Sequence, residues 1–272
     1  MTKTFDPTNS DIPEIDEESP PFMAAFELAS NGSKLNVLFY GANGVGPHPT
    51  VILLHGYPGN EKNLDLAQAL KRSGINVFFC NYRGTWGSEG LFTIDNAIAD
   101  VHRFIDYLQN LPPDNDLHVD VTKIWLVGHS FGGFFALIVG SQRSEIQRVV
   151  AIAPPNLALL LSIPEVRENP DGWLQNSVVT APLNEFMAEL LEKPSVYDSF
   201  AVAEKFTKRD VLLIGAGRDE VLPPDKFHTP LVEEFTKHSS INFEHQIFHD
   251  DHSFSSHRIA LSRSIVNWLN TP

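Results

Sequence analysis

Short, uninterrupted apolar runs recur along this chain, with helical stretches between them. Residues 50–54 (TVILL), 75–80 (INVFFC), 123–127 (KIWLV), 148–153 (RVVAIA) and 210–215 (DVLLIG) are such runs, and 242–248 (NFEHQIF) completes the series. Between them, residues 63–72 carry Leu64, Ala67 and Leu70 at helical spacing. Residues 94–108 and 131–141 read as further helices, and a last one runs from about 253 to 269. Strands that are apolar throughout are buried on both faces. Their alternation with helices therefore predicts an α/β fold with a mostly parallel central sheet and helices on both sides. A hairpin precedes the series, with strands at 24–30 and 34–40 around Asn31-Gly32, a pair suited to the positive φ angles of a tight turn.

The alternation breaks once. From 155 to 207 no strand is evident, only helix-like pieces at 156–161 and 184–191 punctuated by Pro164, Pro170, Pro182 and Pro194. An insertion of that size inside such a domain predicts a small helical cap after the fourth parallel strand, rather than a structureless loop. Its apolar residues are Leu157, Leu159 to Leu161, Trp173, Phe186, Met187, Leu190 and Leu191. They suit a hydrophobic roof over a pocket, and equally the packing of the cap onto the core. Residues 1–20 hold many carboxylates and few apolar side chains, so a disordered or loosely draped acidic tail is expected, with the folded domain spanning 21–272.

Composition narrows the partners. Asp and Glu number 34 against 20 Lys and Arg, a formal net charge of −14, which argues against nucleic acid and anionic lipid surfaces. The lone cysteine, Cys80, permits no intrachain disulfide and no thiolate metal cluster. With no H-E-x-x-H pattern either, no metal and no cofactor are expected. The glycine-bearing stretch 40–46 lacks the lysine of a phosphate loop and reads as a turn. The N-terminal residues have neither the basic start nor the apolar stretch of a signal peptide, and no apolar run reaches membrane-spanning length. The expectation is a soluble, cytoplasmic protein.

One motif carries chemistry. Gly128-His129-Ser130-Phe131-Gly132, followed by Gly133, matches the G-x-S-x-G elbow, with the strand KIWLV before it and a helix after it, as that motif requires. A serine thrust out on a sharp strand-to-helix turn is crowded by its neighbours, and glycines two residues away leave room that a Cβ would fill. The helix starting there offers N–H groups and its positive dipole end to a developing oxyanion. Ser130 is thus the candidate nucleophile.

On these residues the chain resembles the α/β-hydrolase superfamily, from about residue 35 to 269. Within it, the chain is similar to the small soluble serine hydrolases of the prolyl-oligopeptidase and dienelactone-hydrolase kind. The likeness extends to His55-Gly56-Tyr57-Pro58-Gly59 after TVILL, a turn that in this superfamily lends a backbone N–H to the oxyanion hole. The resemblance implies the N–H groups of Tyr57 and Phe131 as the two donors. The stretch 81–90 (NYRGTWGSEG) resembles the R-G-x-G-x-S loop, read as structural, so Ser88 is not a nucleophile. His55 is read as an anchor of its own turn.

A serine needs a histidine base and a carboxylate to orient it, and in this superfamily the chain order is Ser, then Asp or Glu, then His. Asp219 lies at the carboxyl end of DVLLIG, where the resemblance also puts the acid; Glu220 and Asp225 are alternatives. His252 sits in a D-H-x-F pattern just before the last helix. His249 beside the strand end, and His257 a turn or more inside that helix, compete with it. The expectation is a small-molecule acyl substrate cleaved by Ser130, His252 and Asp219. Ester hydrolysis comes first, a peptidase acting on small peptides second, and a non-catalytic binding protein of the same fold is the reading from another class.

Overall fold

The Asn31-Gly32 pair turns the chain as its composition requires, with φ of 45° and 84° at the two residues. It joins β1 (Phe22–Ser30) to β2 (Ser33–Gly41). The structure is a computed structural model that describes residues 5–160, 162–164, 168, 178 and 183–271. The alternating part follows: β3 (His48–Leu54), α1 (Leu64–Arg72), β4 (Asn76–Cys80), α2 (Ile94–Gln109), β5 (Val119–His129), α3 (Phe131–Gln142) and β6 (Arg148–Ile152). After β6, the fourth parallel strand, come the short α4 (Leu157–Leu160) and α5 (Leu183–Glu192). The chain then resumes with β7 (Asp210–Ala216), α6 (His228–Thr236), β8 (Asn242–Phe248) and α7 (Arg258–Leu269).

The eight strands form one sheet in the order β1-β2-β4-β3-β5-β6-β7-β8. The β1–β2 and β2–β4 pairs are antiparallel and every other pair is parallel. Alternate side chains feed two cores, as strand pleating dictates. Ile52, Leu54 and Phe78 face one side, where α2 and α3 bring Phe104, Phe134 and Phe135. Val51, Leu53, Val77 and Phe79 face the other, against Leu66 and Leu70 of α1 and Leu261 and Ile265 of α7. Fully burying each such side chain contributes about 1.5–3 kcal/mol. Residues Phe131 to Gly140 of α3 are all buried, which fits their small and apolar character.

Three segments depart from the sequence reading. Helix α6 lies among prolines that obscure it, but Pro230 falls in its first turn, where no N–H is needed. The last helix starts at Arg258 rather than near 253. Before it, the Asp250 and Asp251 carboxylates accept the backbone N–H groups of Asp251, Ser253, Ser255 and Ser256 and hold the chain in turns. The acidic N-terminal segment, expected to be disordered or loosely draped, is fastened from residue 5 onward. Arg263 pairs with Asp6 at 2.7 Å, Arg72 Nε donates to the Pro7 carbonyl at 2.6 Å, and Gly44 N donates to the Ser19 carbonyl at 2.9 Å. The Thr8 hydroxyl and N–H, with Arg263, hold the Asp6 carboxyl at about 2. No helix among the described residues is long and apolar enough to cross a membrane.

Candidate active site

The chain enters the parallel sheet at β3, steps to β4 on one side, then crosses back to β5 on the other. The strand order therefore reverses between β3 and β5, and a crevice opens at their carboxyl ends, where open α/β sheets bind ligands. Register sets the level of what emerges there: Leu54 pairs with Gly128. The 55–59 turn and the 128–132 turn thus leave the sheet side by side.

Ser130 stands at the corner with φ 57° and ψ −125°, a strained combination that non-glycine residues hold only where the surroundings enforce it. The enforcement is visible. Ser130 N donates to the Ile152 carbonyl at 2.8 Å, and its own carbonyl accepts the Phe134 N–H at 3.0 Å, the first bond of α3. A Cβ on Gly128 would stand 2.0 Å from the Gly132 carbonyl oxygen, and one on Gly132 would stand 2.0 Å from that of Leu54. Gly56 faces the serine so closely that a Cβ there would meet Ser130 Cβ at 2.9 Å and Oγ at 3.4 Å. Phe131 opens α3, and its ring lies 5.7 Å from that of Tyr57 in the neighbouring turn.

The turns after β7 and β8 are joined by backbone bonds from Gly217 to Phe248 (2.7 Å) and from Arg218 to Asp250 (2.8 Å). That junction delivers Asp219 to His252. Asp219 is buried. Its Oδ1 accepts the N–H groups of Val221 (2.9 Å) and Leu222 (2.7 Å), which leaves Oδ2 to accept from His252 Nδ1 at 2.6 Å. With its proton committed to Nδ1, the neutral His252 ring keeps Nε2 as an acceptor. Glu220 and Asp225 are exposed. The competing histidines are accounted for too. His249 is exposed, and His257 caps α7 instead of lying inside it, its Nδ1 bonded to buried Asp250 at 2.9 Å. Ser130 Oγ makes no hydrogen bond among the described residues. Such bonds are commonly long or misaligned in a ligand-free site.

His129 is a residue that sequence reasoning passed over. Buried beside Ser130 on the opposite side of the strand end, it donates Nε2–H to the His252 carbonyl at 2.8 Å, and the two rings lie 5.0 Å apart. Burial pushes its pKa down to about 3, so the ring stays neutral. No signal in the sequence discloses this, because the acceptor lies 123 positions away.

The turn after β3 is built as an anchor. His55 Nδ1 bonds the Gly56 carbonyl at 2.7 Å, the Tyr82 hydroxyl donates to the His55 carbonyl at 3.0 Å, and Trp86 Nε1 donates to the Pro58 carbonyl at 2.8 Å. The 81–90 loop is itself held by Arg83, whose Nε and backbone N–H both donate to buried Asp100, at 2.8 and 2.9 Å. Ser88 is committed to the Asn81 carbonyl and the Asn36 N–H, each at 3.0 Å. Of the apolar cap residues, Leu157, Leu160 and Leu190 are buried in the core under α4 and α5, while Leu191 is exposed. Leu161 and Trp173, and the side chain of Phe186, lie outside the described residues. A surface cavity of about 530 Å³ opens beside His252, lined by Arg218, Glu220, Val221, Asp251 and Ser253.

Comparison with known proteins bears on the family and the fold. The pattern that defines the family described as "alpha/beta hydrolase fold" matches residues 49–186. Over 116 residues, 39% of this chain and 45% of the relative, the sequence is 32% identical to an uncharacterized protein of Rickettsia prowazekii. Over 151 residues, half of this chain, it is 27% identical to acylamino-acid-releasing enzyme 2 of Oryza sativa subsp. japonica, of which that stretch is 19%. The chain thus spans less than half the length of these curated relatives. Among solved structures it is similar to Est1E of Butyrivibrio proteoclasticus with ferulic acid bound. That match has a TM-score of 0.73 and 17% identity, covering 90% of this chain and 98% of the other.

Proposed function

The chain belongs to the α/β-hydrolase family, and on that footing we propose that it is a serine hydrolase cleaving a carboxylic ester through Ser130, His252 and Asp219. The observation that carries the reading is the 2.6 Å bond from His252 Nδ1 to Asp219, in a loop fastened to His129 next to the serine. His252 Nε2 takes the Ser130 proton as Oγ attacks the substrate carbonyl carbon. The oxyanion forms between the N–H groups of Tyr57 and Phe131, where the helix dipole of α3 favours negative charge. His252 then gives the proton to the departing alcohol. A water, deprotonated by His252, releases the acid from the acyl-enzyme and restores Ser130. Asp219 keeps the imidazole in the working tautomer and stabilises its protonated form.

Residues 155–207 act in this reading as a cap that roofs the acyl pocket, and the protein acts in the cytoplasm on a small acyl substrate. The ferulic acid held by Est1E, a carboxylic acid as an acyl product would be, agrees with an ester substrate. The likeness to the rice acylamino-acid-releasing enzyme favours amide cleavage as the second reading.

Labelling with a fluorophosphonate, together with turnover of nitrophenyl esters of graded chain length and of aminoacyl amides, tests both. Stoichiometric labelling at Ser130, lost in Ser130→Ala with turnover down by several powers of ten, is the expected result. Near wild-type ester turnover by Ser130→Ala defeats the reading. Turnover of amides but not esters selects the second.

A further inference from the structure

The imidazole of His129 carries a cost. Its Nδ1 is buried without a hydrogen-bond partner among the described residues, a penalty that an apolar side chain of similar size would avoid. What the ring gains is a single bond, Nε2–H to the carbonyl of His252 at 2.8 Å. A carbonyl only accepts, so Nε2 carries the proton and Nδ1 is the bare nitrogen. The same ring packs 5.0 Å from the His252 ring and stands edge-on to Phe254 at 6.2 Å, a fully buried residue at φ 56°.

The loop from 249 to 257 is also held elsewhere, by the Arg218 N–H on the Asp250 carbonyl at 2.8 Å and by two aspartates. Asp250 fastens residues 251, 256 and 257, and Asp219 fixes the imidazole at its Nδ1 end. Among the described residues, the peptide carbonyl of residue 252 is tied to the strand end through His129, the residue bonded covalently to Ser130. A chain of fixed geometry therefore runs from the Ser130 backbone through the His129 ring to the His252 backbone.

We propose that His129 is a positioning residue that sets the distance between Ser130 Oγ and His252 Nε2 by holding the carbonyl of His252. The proposal rests on the hydrolase reading above and goes further, because it gives the variable position of the elbow motif a task. Burial keeps His129 neutral, with its pKa pushed down to about 3. The donor is thus present at every pH at which His252 works as a base, and no second positive charge forms against the His252 ring.

Two variants test it: His129→Leu removes the donor and keeps an apolar filler, and His129→Gln returns an N–H near the position of Nε2. The first readout is the far-downfield proton NMR signal of the His252 Nδ1–H···Asp219 bond, which needs no substrate. It should be lost or broadened in His129→Leu and retained in His129→Gln. The second is ester turnover, where His129→Leu should lower kcat on the order of 100-fold, the effect of misplacing a reacting group by about 1 Å. KM should stay near wild type, and His129→Gln should recover most of the loss. A His129→Leu protein with the wild-type signal overturns the proposal whatever its activity. So does a folded His129→Gln protein as impaired as His129→Leu, since that would make the role one of packing. Wild-type protein that neither labels nor turns over ester defeats the hydrolase reading instead, and the NMR signal still decides the positioning role.

Discussion

Gly132→Ala isolates the contact that seats the elbow on the sheet. A Cβ at residue 132 would lie 2.0 Å from the Leu54 carbonyl oxygen, 2.5 Å from its carbon and 2.8 Å from the His55 carbonyl oxygen, where ordinary contact begins at 3.4 Å. All three are backbone atoms at the end of a central strand, so no side chain can swing aside. The start of α3 must back away by about 1.4 Å. Overpacking of this kind costs about 3 kcal/mol, the upper end of its usual range, and alanine returns about 1 kcal/mol of helix propensity. The net loss is about 2 kcal/mol, which lowers Tm by about 4–8 °C in a chain of this size. The same displacement moves Ser130 away from the 55–59 turn, and about 1 Å there reduces turnover on the order of 100-fold. Gly140→Ala is the internal control on the same helix. Its nearest atoms are side chains, Val149 Cγ2 at 3.0 Å and the Phe206 ring at 3.3 Å, so its Tm should shift little and its turnover not at all. Thermal melts and nitrophenyl-ester rates on both variants check the argument. Wild-type Tm and rate in Gly132→Ala, or equal damage from Gly140→Ala, would refute it.

Asp219→Asn should fold normally yet lose about 10⁴ in kcat. The Val221 and Leu222 N–H groups claim the amide oxygen and turn the NH₂ toward His252, forcing the wrong tautomer. Steady-state rates within tenfold of wild type would contradict this. Burial lowers the pKa of His55 to about 4, of His129 to about 3 and of His228 to about 4, from 6.5. Each folded value lies below the unfolded one, so the unfolded chain protonates first and stability falls as pH drops from about 6.5 toward 4. Both ring nitrogens of His228 are buried without partners among the described residues. His228→Leu should therefore raise the urea midpoint more at pH 5 than at pH 7.5, and an equal shift at both would dismiss the linkage. Asp100→Ala strands the Arg83 guanidinium, only 9% exposed, and the Ser30 hydroxyl. A loss of about 3–5 kcal/mol is expected in urea unfolding; a loss under about 1 kcal/mol would mean the pair is not effectively buried.

The amino-acid sequence by itself determined the features whose causes are local. Apolar runs too short for helices had to become buried strands. Asn31-Gly32 had to turn. Gly128 and Gly132 around Ser130, between a strand and a helix, carry steric demands that are satisfied within a few residues, so the elbow is legible in five letters. The features set by distant partners were decided only by tertiary structure. Three histidines lie between 249 and 257, and the D-H-x-F resemblance singles out His252 without giving a physical reason. In the fold His252 meets Asp219, Asp250 engages His257, and His249 is exposed. The late start of α7 has the same origin, since the side chains of Asp250 and Asp251 compete with the helix for its first N–H groups. His129 looks like any residue at the middle of a motif until the sheet order brings the β8 turn against the β5 turn. A local steric requirement is written at the position that bears it, whereas a hydrogen bond between loops more than a hundred residues apart exists only after the strands between them have been placed.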